Sequence, residues 1–193
     1  MGVLVGAMIG IAVPSRKRWQ QGLVTAILLG GAVAGIQLIG IEPIWVYALV
    51  LPIWTVIALI DYHEHRIPDP LSWGSAATAL VGLTVVSASV GSWARIGQAV
   101  LVAAVVCGMA TLISLVTPQG WGDVKLSISI GLLLGWQGWA ATLWGVLGAL
   151  TLAGIWAVAL ILVRRRPDTP IALAPPWLVG ALGALILFNR LSI

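Results

Sequence analysis

Charged residues are scarce in this sequence. They make up 8% of the 193 residues, and 60% of the residues are hydrophobic, whereas about 25% of the residues in soluble domains are charged. Apolar runs of about 17 to 25 residues recur along the chain, and such a run is long enough to cross a bilayer as a helix. The sequence therefore excludes a water-soluble fold and predicts an all-α, polytopic transmembrane bundle.

Cysteine and histidine are almost absent as well. The single cysteine, Cys107, excludes an intramolecular disulfide, and no cysteine pair is present to hold zinc. The two histidines, His63 and His65, stand close to Asp61 and Glu64, but a closed zinc site would need further histidine or cysteine ligands. We therefore predict no metal and no cofactor.

The breaks between apolar runs predict about eight helices, which form a single membrane domain over residues 1–193. The predicted ranges are 2–14, 20–40, 44–60, 70–90, 95–117, 123–136, 139–163 and 171–188. These helices leave no stretch for a separate soluble domain.

Lysine and arginine are distributed unevenly over the predicted loops. One side of the membrane receives Arg16, Lys17, Arg18, Arg66, Lys125, Arg164, Arg165 and Arg166, and the other receives Arg95 and Arg190. Because cytoplasmic loops are positive, the larger set is expected inside and both chain termini outside, in a multi-pass protein of a bacterial-type cytoplasmic membrane. The net charge of +4 then reflects topology, so we expect contacts with membrane lipids and none with nucleic acid.

Two of the six acidic residues, Asp61 and Asp123, stand directly against apolar spans. An acid at such a depth is costly and usually functional. Asp61 lies 16 residues from Trp45, and Asp123 lies 13 residues from Trp136, which corresponds to about 24 Å and about 20 Å of helix. If both tryptophans mark the outer surface, the two carboxyls lie at one level near the cytoplasmic boundary. Two such carboxyls are the components of an aspartic dyad.

Several neighbouring residues are candidates for supporting roles. Gly120 and Gly122 precede Asp123 and, lacking a Cβ, are predicted to allow positive φ and the close approach of a substrate strand. Lys125 either anchors its helix at the membrane surface or acts near the dyad. Asp69 precedes a proline and is best explained as a helix N-cap rather than as a catalytic residue.

Two segments resemble the motifs of type IV prepilin peptidases. Residues 60–69 (IDYHEHRIPD) resemble the first aspartate motif of that family, and residues 120–126 (GWGDVKL) are similar to its Gly-x-Gly-Asp-x-Lys-Leu motif. The resemblance implies an aspartic endopeptidase with Asp61 and Asp123 as the catalytic residues. Its substrate would be a type IV prepilin or pilin-like protein, cut at the cytoplasmic face where a basic leader ends in glycine before an apolar helix.

The chain departs from the family pattern in two segments. Bifunctional members carry a cytoplasmic insert with paired cysteines that methylates the new N-terminus, but residues 15–21 are too few to hold it, so no methyltransferase domain is expected. Before the last helix, many members have a Pro-Phe-Gly-Pro-like stretch, and residues 171–176 (IALAPP) lack its first proline. The sequence assigns no role to this second segment.

A different functional class also fits two intramembrane acids. A small membrane transporter or scaffold could use Asp61 and Asp123 to bind a cation or relay protons. Transporter sites usually lie near the midplane between inverted repeats, whereas both acids are predicted near one face and no inverted repeat is recognisable. The sequence therefore favours the peptidase over the transporter or scaffold.

Overall fold

The fold is known from a computed structural model that describes residues 43–64, 66–116, 120–164 and 174–191. Within these residues there are six helices and no strands: α1 (Ile44–Glu64), α2 (Asp69–Val90), α3 (Trp93–Val116), α4 (Trp121–Gln137), α5 (Trp139–Arg164) and α6 (Ala174–Leu191). They confirm the six predicted helices of this region to within a few residues. The predicted helices at 2–14 and 20–40 lie outside the described residues, and the outside location of both termini stays a prediction.

Among the helices of the described residues, four are long and apolar enough to cross a membrane. The candidate spans are Ile44–Tyr62, Asp69–Val90, Trp93–Val116 and Trp139–Ala159. Large apolar side chains such as Leu115, Val116 and Val158 are exposed around the bundle, and a lipid environment removes the cost of exposing them to water. The protein is therefore a membrane protein.

The short helix α4 lies at the centre of the bundle and packs against α2, α3, α5 and α6. Glycines allow the closest approaches between helices. A Cβ on Gly131 of α4 would stand 2.6 Å from the Ala103 Cα of α3, and a Cβ on Gly180 of α6 would stand 2.3 Å from the Ala149 nitrogen of α5. Small residues at these positions let the backbones meet, so these two glycines serve helix packing.

The bundle has two chemically distinct ends. We call the end where α1 finishes and α2, α4 and α6 begin the site end. There Lys125 of α4 forms an ion pair with Asp69 of α2. At the opposite end, Arg95 of α3 lies 6.0 Å above the ring of Trp136, a ring that is itself buried. The described residues thus bring both aspartate motifs to one end of the protein.

Candidate active site

Asp61 lies in the last turn of α1 and is buried, with 5% of its surface exposed. The backbone N–H of Ala174, the first residue of α6, donates a hydrogen bond of 3.0 Å to Asp61 Oδ2. A buried carboxylate needs such partners because isolation in an apolar interior is very costly. The position of this side chain is therefore fixed by α1, which carries it, and by the beginning of α6, which donates a hydrogen bond to it.

Asp123 lies in the first turn of α4 and is half-buried. The N-cap is Gly120, and the Asp123 backbone N–H donates to the Gly120 carbonyl oxygen at 3.1 Å. Asp123 is thus the third residue of the helix. A carboxylate in the first turn is stabilised by the positive end of the helix dipole.

Buried hydrogen bonds between α1 and α4 determine how the two helices are aligned. Gln137 Nε2 of α4 donates to Tyr47 Oη of α1 at 3.0 Å. Closer to the site end, Trp54 Nε1 of α1 donates to Ser129 Oγ of α4 at 2.9 Å. Residue numbers rise along α1 as they fall along α4, so the two helices run antiparallel.

This alignment fixes the relative depth of the two aspartates. Asp61 follows Trp54 by seven residues, and Asp123 precedes Ser129 by six, so both positions lie about 10 Å further toward the site end. A spacing of seven residues is also nearly two full turns, which places Asp61 on the side of α1 that Trp54 presents to α4. From this alignment we infer that the two carboxyls lie at about the same level of the bundle.

The two motif glycines have different surroundings. A Cβ on Gly122 would stand 2.6 Å from the Cβ of Ile67, a buried residue of the first motif, whereas the nearest atom to a Cβ on Gly120 is 3.9 Å away. The prediction of positive φ is wrong for Gly120, whose φ is −72°. Gly122 lies within helix α4, and the positive-φ glycines of the described residues are Gly91 and Gly138. Gly122 is needed for packing against the first motif.

An ion pair between Asp69 and Lys125 connects the two motifs. Lys125 Nζ lies 2.6 Å from Asp69 Oδ2. The prediction that Asp69 caps a helix is wrong, because α2 has Pro68 as its N-cap, without a side-chain cap hydrogen bond, and Asp69 is its first residue. The Asp69 carboxylate forms the ion pair instead, and a role of Lys125 near the dyad stays a prediction.

Comparison with known proteins supplies the family. The profile of the type IV leader peptidase family matches residues 45–163, which is more than half of the chain and includes both aspartate motifs. The chain belongs to the type IV leader peptidase family. Neither a search of curated proteins nor a search of solved structures finds a match. The family indicates a protease of the prepilin peptidase type, and α6 of this peptidase lies beyond the matched residues.

The ion pair of the peptidase gives a first prediction. Asp69 is 62% exposed and Lys125 26%, and solvent-exposed pairs contribute about 0–1 kcal/mol. Asp69→Asn should therefore lower the melting temperature by only a few degrees and leave most of the activity. In a Lys125→Gln background, the same substitution should have almost no further effect. Thermal unfolding of the four proteins in detergent tests this, and equal effects in both backgrounds would show that the ion pair contributes nothing.

Sequence reasoning missed three residues that position the site. None of the three has a side chain that suggests a functional role. Ala174 is small, Ile67 is apolar, and the hydroxyl group of Ser129 is common in proteins. The signals that could have found them are their neighbours: a double proline after Ala174, the Ile-Pro-Asp end of the first motif, and a polar residue in an apolar helix. Within the described residues, no cluster of acids, histidines or cysteines could hold a metal ion; His65 and the His63 side chain lie outside them.

Proposed function

We propose that the protein is an aspartic endopeptidase that removes the leader of a type IV prepilin or pilin-like protein. Asp61 and Asp123 are its catalytic residues, and it works at the cytoplasmic face of a bacterial-type cytoplasmic membrane, which it crosses several times. The observation that carries the proposal is the alignment of α1 and α4, which supports placing the two motif aspartates at one level.

The chemistry follows from two carboxyls that share a proton. Two like charges that lie close together cannot both ionise easily, so one carboxyl stays charged while the other keeps its proton. The charged carboxylate takes a proton from water, which attacks the scissile carbonyl carbon, and the other carboxyl donates its proton to the carbonyl oxygen. The pair titrates as one unit, and no metal or cofactor is required in this scheme.

The surroundings of the site suit the proposed substrate. A prepilin would present a basic leader followed by an apolar helix, which would lie in the lipid beside the bundle. At the site end, Glu64 is exposed and acidic, so it could attract a basic leader at moderate ionic strength. Exposed Trp121 at the start of α4 offers an apolar surface where the leader would meet the membrane. Pilin-like proteins and lipids are the proposed partners, and nucleic acid is not.

Cleavage of a defined substrate tests the proposal. Purified protein in detergent should cut a prepilin-like polypeptide once, after the glycine that precedes its apolar helix, and mass spectrometry of both products locates the bond. Because residues 15–21 are too short for a methyltransferase insert, the new N-terminus should remain unmethylated. No cleavage of any prepilin-like substrate would favour the alternative, a small transporter or scaffold that binds a cation or proton at Asp61 and Asp123.

A further inference from the structure

The beginning of α6 contacts the carboxyl group of Asp61 directly. Ala174 is fully buried, and its N–H is one of the first four in α6, which have no acceptor within the helix. It donates to Asp61 Oδ2 at 3.0 Å, across a separation of 113 residues. The contact therefore joins the first motif to a part of the chain outside the family match, which ends at residue 163.

The sequence that follows Ala174 fixes the direction of this donor. Pro175 and Pro176 are the next two residues of α6, and proline locks its own φ and suits the first turn of a helix. Proline also restricts the residue before it, so the backbone at Ala174 has little freedom. Because prolines have no N–H, neither of the next two residues offers a competing donor. The Ala174 N–H is thus held in place before any substrate arrives.

We propose that Ala174 is a positioning residue of the catalytic dyad, whose backbone N–H holds Asp61 Oδ2 and directs Oδ1 toward the reacting water. This inference rests on the proposed function and assigns a role to the 171–176 segment. Because Oδ2 accepts the Ala174 N–H, it cannot carry a proton on the side that faces Ala174. In this arrangement Oδ1 is the oxygen assigned to exchange the shared proton with water.

A single-atom replacement tests this role. Incorporating lactic acid at position 174 during cell-free synthesis turns the Ala174 amide into an ester, which removes the N–H and keeps the side chain. Assayed on a prepilin-like substrate in detergent, this variant should lose at least about tenfold in kcat, since a small misplacement of a catalytic group is costly. Its KM should stay within about twofold, because the contact does not touch the substrate. Its melting temperature should fall by a few degrees, because one hydrogen bond to a buried carboxyl is lost.

Two controls separate positioning from structure. Ala174→Gly keeps the N–H and should therefore lose much less kcat than the ester at 174. The same amide-to-ester change at Val179, an exposed residue further along α6, removes a hydrogen bond within the helix. It should therefore lower the melting temperature by a few degrees as well, while leaving kcat nearly unchanged.

The outcomes distinguish this inference from the proposed function. If the unmodified protein cleaves and the ester at 174 has normal kcat, Ala174 does not position the dyad and the function stands. An ester variant that unfolds, or one whose KM rises while kcat stays constant, would overturn the inference in the same way. If the unmodified protein cuts no prepilin-like substrate, the proposed function fails and this inference fails with it.

Discussion

Asp61→Asn and Asp123→Asn should each lower the rate of leader cleavage by at least about a thousandfold. Asparagine cannot take a proton from water or donate an acidic one, so either change leaves one half of a dyad. Both variants should remain folded, because asparagine is nearly isosteric and replaces an acid that is costly within a membrane. In the Asp61→Asn variant, the amide oxygen of the new side chain could still accept the Ala174 N–H. Cleavage time courses and melting temperatures of the purified variants measure both effects.

Asp69→Asn is the matched control for these two variants. It makes the same chemical change at an exposed acid of the first motif, whose partner in the described residues is Lys125, and it should keep most of the activity. If Asp69→Asn were inactive and Asp61→Asn active, the catalytic acid of the first motif would be Asp69. If all three variants cleaved normally, the protein would not work as an aspartic protease.

Gly122→Ala should reduce kcat at least about tenfold. The added methyl group would stand 2.6 Å from the Cβ of Ile67. That atom is attached directly to the backbone, so it cannot move aside as the end of a flexible side chain could. Either the first turn of α4 or the segment around Ile67 must therefore shift, and Asp123 is the next residue of that turn. Overpacking of this kind also costs about 1–3 kcal/mol of stability, which a melting curve would report.

Gly120→Ala is the control for Gly122→Ala. Among the described residues, the nearest atom to a Cβ at Gly120 would be 3.9 Å away, and the φ of −72° is one that alanine adopts readily. Its kcat should therefore stay within about threefold of the unmodified protein. Normal kcat in Gly122→Ala would show that the contact with Ile67 does not position Asp123. A large loss in Gly120→Ala alone would instead indicate that a substrate strand lies against Gly120.

The helices were predictable because each apolar run must satisfy its own backbone hydrogen bonds in lipid. The common level of the two aspartates was also predictable, although one of its markers behaves differently from the expectation. Trp45 is exposed as a surface marker should be, but Trp136 is buried beneath Arg95. Both tryptophans nevertheless lie at the end of the bundle opposite the aspartates.

The contacts that join the motifs were not predictable from local patterns. An Asp-Pro pair is typical of a helix start, but the start of α2 is shifted by one residue, and this shift frees the Asp69 carboxylate to bind Lys125. The two motif glycines look alike in sequence, and only the packing of Ile67 distinguishes Gly122 from Gly120. The ion pair and the glycine contact both depend on which distant segments of the chain pack together. The spacing of residues within one sequence does not reveal such long-range packing.

Crosslinking of the two aspartate positions tests the central claim most directly, because it requires no substrate. In a Cys107→Ser background, Asp61→Cys with Asp123→Cys should be joined by a short bifunctional methanethiosulfonate reagent, and mass spectrometry of the digested protein should detect the linked peptides. Asp61→Cys with Ile130→Cys is the control, because Ile130 lies two turns further along the same side of α4, about 10 Å away. We predict efficient crosslinking of the first pair and little of the second. Crosslinking of the second pair without the first would contradict the claim that the two aspartates meet at one level.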